Sequence, residues 1–351
     1  MATRRGFLAG LAAFGLPKPG WADAGNPAYL AAGKEGDGFT LHGLSATGDS
    51  LFRIPLPARG HAAAAHPVLP HAVAFARRPG HFAVVIDCTS GQVLHRLTPP
   101  EGHQFNGHGC FSADGSVLMT SEVVGETSEG RIGLWDADYL RIGDVPSGGI
   151  GPHDLKRLPD GRIMAANGGI RTDPTDRTKL NLDAMRPNLT LLSATGEMLE
   201  QAELPPDLHQ NSIRHLALIP GGVAFALQWE GDPAEPAPLL GLWTPGRAPR
   251  LCEAAPGDAY AMQGYAGSIA ATGGLIAVTS SKGGVVMLFD EAGNPLATHR
   301  RLDISGIAPA EGAFVATDGS GAVWTCTVAG LTPLQRHTTL WDNHLVPVTH
   351  I

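Results

Sequence analysis

A histidine at the head of a strand, followed by a turn some residues later, recurs along this chain and constrains its fold more than any other feature. In the clearest copy Gly151-Pro152-His153-Asp154-Leu155 runs to Leu158-Pro159-Asp160-Gly161. Gly107-His108 runs to Asp114-Gly115, Arg214-His215 to Pro220-Gly221-Gly222, and Gly60-His61 to Pro67 and Pro70. Asn343-His344 opens the last strand. Five histidines therefore hold one position in a repeated unit.

The unit itself is clearest near the C-terminal end. Leu275–Ser280 is a run of strand formers, Lys282-Gly283-Gly284 turns, and Val285–Asp290 is a second run. Glu291-Ala292-Gly293-Asn294 turns again before Pro295–Arg300. The next copy reads Ala313–Thr317, Asp318-Gly319-Ser320-Gly321, Ala322–Val328 and Leu331–Arg336. A small-residue strand precedes each copy: Gly267–Thr272 in one, Ser305–Ala310 in the other. Four antiparallel strands per unit of 38 to 62 residues are the pattern of propeller blades. Forty-six glycines and 28 prolines supply the turns this requires.

Unit starts fall near His61, His108, His153, His215, Gly267, Ser305 and His344. The last unit is cut short at Ile351, and the N-terminus supplies the remainder. Tyr29–Gly33, Gly38–Gly48 and Asp49–Leu56 read as second, third and fourth strands with no first strand before them. The expected fold is an all-β, seven-bladed propeller, closed by the C-terminal strand pairing inside the N-terminal three. Such closure removes the exposed edges of a split sheet. Although 351 residues exceed a typical domain, residues 25–351 are expected to form this one ring.

The first 24 residues read as an export signal. Thr3-Arg4-Arg5-Gly6-Phe7-Leu8 resembles a twin-arginine motif, Phe7–Leu16 is apolar, and Ala22-Asp23-Ala24 is a small-residue cleavage site. The apolar run is too short to span a bilayer, and no other is longer, so no membrane span is expected in the mature chain. A periplasmic protein follows from this reading. Net charge of −8, with no run of Lys or Arg, argues against nucleic acid as a partner.

In a propeller the first strand of each blade lines the central channel. All five histidines therefore open strands at one end of it, on adjacent blades, with Gly267-Ser268 and Ser305-Gly306 leaving a small-residue gap in the arc. Imidazole is the commonest metal ligand near neutral pH. His61, His108, His153, His215 and His344 are thus candidate ligands to a transition metal ion, with iron, copper and zinc all compatible with imidazole. Glu122, Asp154, Asn167, Gln210 and Gln228 fall at the same end as candidate orienting partners. The opposing reading is structural, because many propellers use a Gly-His pair to hydrogen-bond each blade together. Leu134-Trp135-Asp136 resembles the companion dipeptide of those repeats but occurs in one blade alone.

The step from His153 to His215 spans 62 residues, against 45 for the step before it. The excess follows Asn167-Gly168-Gly169 and joins the second and third strands of its blade. Long loops on rigid scaffolds often carry function. This loop is expected to cover the site, with Arg171, Lys179, Asn181 and Asp183 as candidate cofactor contacts and Arg171, Lys179 and Arg186 as attractors of an anion. Cys88, Cys110, Cys252 and Cys326 show no CxxC spacing and read as buried small hydrophobes, with Cys110 the one that shares a strand face with a candidate ligand.

The motifs Gly107-His108-Gly109-Cys110-Phe111-Ser112, Gly151-Pro152-His153-Asp154-Leu155, Ala166-Asn167-Gly168-Gly169-Ile170, Lys179-Leu180-Asn181-Leu182-Asp183 and Ser212-Ile213-Arg214-His215-Leu216 resemble a family of bacterial twin-arginine proteins carrying a domain of unknown function. The resemblance covers nearly the whole mature chain. It implies a seven-bladed propeller in the periplasm, encoded beside imelysin-like iron-uptake proteins and di-haem thiol oxidoreductase-like proteins, and it brings no activity with it. Two functions follow: a periplasmic metal-binding propeller tied to iron or copper handling, or a non-catalytic interaction platform whose histidines are structural. Catalysis is left open by both.

Overall fold

The computed structural model describes residues 19–78 and 80–348. Seven four-stranded antiparallel sheets stand around one axis. Blade 1 begins with Gly60–Ala65, blade 2 with His103–Phe111, blade 3 with Pro152–Arg157, blade 4 with Asn211–Ile219, blade 5 with Ser268–Thr272 and blade 6 with Ile304–Ala310. Each of these strands is innermost, and each packs beside the innermost strand of the next blade. Blade 7 is composite: Leu340–Pro347 lies inside Tyr29–Glu35, Gly38–Leu44 and Ser50–Leu56. Its closing pairs include Tyr29 with Pro347, Leu30 with Val346 and Ala31 with Leu345. The order of the blades and their closure match the sequence expectation.

The residue types explain the layering. Innermost strands crowd at the axis and are built from small residues, as in His61-Ala62-Ala63-Ala64-Ala65. Middle strands are buried on both faces between neighbouring blades and read as unbroken apolar runs, such as Ala83–Ile86 and Val285–Phe289. Outermost strands meet water, and Gln92–Arg96 is exposed throughout. Phe75, Phe105, Phe225 and Phe314 fill the spaces between blades. Among the described residues no helix is long and apolar enough to cross a membrane.

The paired arginines Arg4-Arg5 and the apolar run Phe7–Leu16 lie outside the described residues. The expected cleavage site does not. Trp21–Ala24 forms a short 3-10 helix, ended by Gly25 in the left-handed region, and it seats on the ring. The Trp21 indole is buried among the apolar residues of blades 7 and 1, and its Nε1–H donates to the carbonyl of His66 at 2.9 Å. A chain beginning at Gly25 would lose this contact. Both that chain and the Trp21→Ala variant are expected to be destabilised by about 3 kcal/mol, the low end for truncating a buried Trp, because the segment is short and near the chain start. Urea unfolding of the two against the full chain checks this.

Candidate metal centre

The repeated histidines sit where the strand ladders break. Each innermost strand carrying one has a β-bulge beside it. The register shifts between Gly60 and Ala63, between Phe105 and Gly109, between Pro152 and Asp154, and between Ile213 and His215. In blade 7 the shift frees the segment between Trp341 and Leu345. A bulge bends the strand and re-aims its side chain. Here it turns five imidazoles off the pleat and toward the axis. The innermost strand of blade 5 is regular and carries no histidine, whereas that of blade 6 shifts register between Ile304 and Ile307 without one.

The backbone groups released by these bulges are met by side chains. The Ser121 hydroxyl donates to the His108 carbonyl at 3.0 Å and accepts from the His108 N–H at 3.3 Å. Gly107, at φ +96°, leaves room for the His61 ring; a Cβ there would lie 2.5 Å from its Cδ2.

The rings converge. His108 lies against all four others, with centroids 5.0 Å from His61, 4.9 Å from His153, 5.3 Å from His215 and 4.9 Å from His344. Those four form a ring of their own, with sides of 5.7 Å (His61 to His153), 4.7 Å (His153 to His215), 4.7 Å (His215 to His344) and 4.6 Å (His344 to His61). Imidazoles bound to one ion at about 2.0–2.1 Å, with angles of roughly 90–120°, have centroids about 4.5–5.5 Å apart. Seven of the eight separations fall in that range, and His61 to His153, at 5.7 Å, lies just above it. The ring centroids form a four-sided pyramid with His108 at the apex.

One expectation changes in detail. The arc has no gap facing blades 5 and 6, because His344 reaches His215 directly. Ser268, Ser305 and Gly306 explain why: they fill so little space that rings from blades 4 and 7 meet over them.

All five residues are between 5% and 9% exposed. Burial pushes the pKa values of His61, His153, His215 and His344 well down, and neighbouring imidazoles push them further. Neutral imidazole is the form that binds metal. Within the cluster four buried ring nitrogens have no hydrogen-bond partner among the described residues: Nδ1 of His61 and His153, and Nε2 of His108 and His344. Orphaned buried polar atoms are rare because each forfeits its hydration. Donor nitrogens sort into two triads within ligating reach of one another, His61/His108/His153 and His108/His215/His344, and His108 belongs to both.

Of the five candidate orienting partners, Asp154 takes that role. Its Oδ1 lies 3.5 Å from His108 Nδ1, which leaves Nε2 facing the cluster. Its other oxygen accepts from the Leu216 N–H at 3.0 Å, next to His215, and Lys156 lies 3.3 Å away. Burial alone would raise this carboxyl; Lys156 and His108 hold it well below the usual carboxylate range. The other four are engaged elsewhere. Glu122 binds Arg141 through both oxygens, Asn167 joins Ser147 to Asn188, Gln210 donates to the Leu182 carbonyl and Gln228 to that of Ala266.

The long loop of blade 3 runs between Ile163–Asn167 and Asn188–Leu192, at the histidine end. Its named residues tie it down. Arg171 donates to the Glu126 carbonyl, Asn181 bonds the loop's own backbone at Arg171 and Gly169, and Lys179 pairs with Glu230 of blade 4. Asp183 is exposed in a 3-10 turn. None of the four belongs to the imidazole cluster. All four cysteines are free thiols, and burial pushes that of Cys110 up to about 12, far from the thiolate a soft ligand requires. A cavity of about 560 Å³ lies at the opposite face, between the turns of blades 3, 4 and 5.

Sequence reasoning missed the arginines above the cluster. Arg59, Arg77 and Arg78 come from blade 1 and the connection into it, Arg177 from the long loop, and Arg214 from the bulge before His215. Only Arg214 had a signal, as the neighbour of a repeated histidine.

Fold and site together define a closed seven-bladed propeller with an all-imidazole cluster inside one mouth. The chain belongs to the family described as "Protein of unknown function (DUF1513)", whose model matches residues 54–348 and so takes in all five histidines. No curated protein matches it. Among solved structures it is similar to "Structure of U3-55K", at 15% identity and TM-score 0.54, over 76% of this chain and 78% of that one. It is also similar to BamB from Moraxella catarrhalis, at 10% identity and TM-score 0.54, over 89% and 85%. A computationally designed protein, Ika8, matches at 15% identity and TM-score 0.52 over 92% and 90%. At these identities the likeness is one of fold.

Proposed function

We propose that this chain is a periplasmic metal-binding propeller that holds one transition metal ion in its imidazole cluster and serves iron or copper handling. The observation that carries the reading is the set of four unpartnered ring nitrogens in a cluster of five packed, buried imidazoles. A purely structural role leaves those atoms without a purpose. The ligand set is all nitrogen, with no thiolate and no carboxylate in the first contact. An all-imidazole set of this kind suits copper, nickel, iron or zinc. Asp154 fixes the tautomer of His108, as carboxylates do behind metal-bound histidines. The Arg4-Arg5 signal supports export in folded form, and the family resemblance supports periplasmic iron-uptake proteins as partners.

Metal analysis of protein purified from the periplasm tests this. One transition metal ion per chain is expected in the wild type, with less in His153→Ala and none in His108→Ala. A metal-free wild type, or unchanged content in both variants, overturns the reading and leaves the imidazoles as packing in an interaction platform.

A further inference from the structure

The mouth above the imidazoles is strongly basic in a chain whose net charge is −8. Five guanidiniums gather there. Two are answered: Asp342 takes Arg59 through one oxygen at 2.5 Å and Arg77 through the other at 3.5 Å. Lys179 pairs with one oxygen of the nearby Glu230, whose charge also bears on Arg214 and Arg78 but which, among the described residues, accepts a hydrogen bond from neither. Arg214 is different. It is 5% exposed, it occupies the bulge beside His215, and its Nε–H is buried with no partner among the described residues. Its Nη1 lies 3.4 Å from where a Cβ on Gly168 would stand, at the root of the long loop. Its positive charge bears on His153 and His215 from one side and on Arg78 from the other. Arg77 and Arg177 press on Arg78 as well.

A guanidinium does not shed its proton in a protein. Buried donors of fixed charge, repelling one another and hydrogen-bonded to no acceptor, favour a further anion. A metal ion a few ångströms away strengthens the requirement, since cation and guanidinium repel unless a negative group lies between them.

We infer that Arg214 and Arg78 form a binding site for a small oxyanion, a carboxylate above all, seated on the mouth side of the imidazole cluster. Arginine's fork of donors matches the two oxygens of a carboxylate. The basic mouth steers such anions inward. The inference rests on the metal reading only for the coupling between the two ligands: anion and metal bind side by side, and each strengthens the other by the same factor. The carboxylate has two possible sources, a free anion or the chelator that delivers the metal.

Acetate is the probe, titrated at low ionic strength into metal-free and copper(II)-loaded protein. Thermal shift follows binding in both, and the copper spectrum follows it in the second. Acetate is expected to raise the melting temperature of the metal-free protein and to alter the copper spectrum. Its affinity is expected to fall about tenfold or more in Arg78→Gln and Arg214→Gln, with copper still bound one to one in both. Arg78 lies outside every strand, between His71–Ala76 and Ala83–Asp87, so its variant keeps the test open if the bulge variant fails to fold. A copper–citrate complex that binds tighter than citrate alone marks the chelate as the source; equal binding marks the free anion. Acetate without effect on wild-type protein, or with wild-type affinity for both variants, overturns the inference whatever the metal content. Acetate binding by a protein that takes up neither copper nor iron upholds the anion site and sinks the metal reading instead.

Discussion

His108→Ala is expected to abolish stoichiometric metal binding, while Asp154→Asn is expected to weaken it about 10- to 100-fold. The contrast follows from geometry. His108 belongs to both ligand triads and touches every other ring, so its loss leaves no intact triad. Removing His153 instead leaves His108, His215 and His344 together. Asp154 contacts the outer nitrogen of His108 and the backbone beside His215, so it orients ligands without being one. Its amide replacement keeps the shape and loses the charge. The metal-free forms of both variants are expected to fold. In His108→Ala the truncated ring already has an unpartnered Nε2, the Ser121 bonds that hold the bulge go to backbone atoms, and Asp154 keeps Lys156 and two N–H donors. Equilibrium dialysis against copper(II), with circular dichroism to show folding, decides the matter. Equal affinities for the two variants, or wild-type affinity in His108→Ala, would sink the shared-apex arrangement.

The blades were legible because they depend on local order. Strand formers, turns and their spacing mark each unit, and a repeat sums that weak signal over seven copies. The convergence of the histidines was legible for the same reason: equal positions in equal units share one end of the ring. The bulges were not. A register shift exists only between two strands, and nothing in Gly60-His61-Ala62 states which residue its partner skips. Without the bulges the pleat misplaces side chains, and this is why Glu122, Asn167, Gln210 and Gln228 looked equivalent to Asp154. The closure between His215 and His344 depends on space across the channel, which Ser268, Ser305 and Gly306 reveal only once the blades surround it. Arg59, Arg77, Arg78 and Arg177 share no repeat position at all. They meet through loop geometry, and only the fold brings them to one mouth.

Metal-free protein is expected to lose stability steeply as pH falls below about 6.5. His61, His153, His215 and His344 are held neutral in the fold by burial and by one another, so their folded pKa values lie well below those of the unfolded chain. Between the two values the unfolded chain binds more protons, which makes stability rise with pH. The stability these residues contribute is therefore present above the unfolded pKa and disappears as pH drops through that window, until the folded values are reached. Each extra proton gives a slope of about 1.4 kcal/mol per pH unit, so four give about 5 kcal/mol per unit. Folding free energies of about 5–15 kcal/mol do not survive many units of such a slope. His42 and His66, which burial pushes down to about 4, steepen the fall. Bound metal opposes it, because an ion that binds only the folded state must be displaced before the imidazoles take up protons. Urea unfolding of the metal-free protein between pH 7.5 and 4.5 measures the slope. His61→Ala is expected to lower it by about 1.4 kcal/mol per pH unit, one proton's worth. A flat profile across that window would mean that the clustered rings carry their protons in the folded chain, and a ring of charged imidazoles binds no metal.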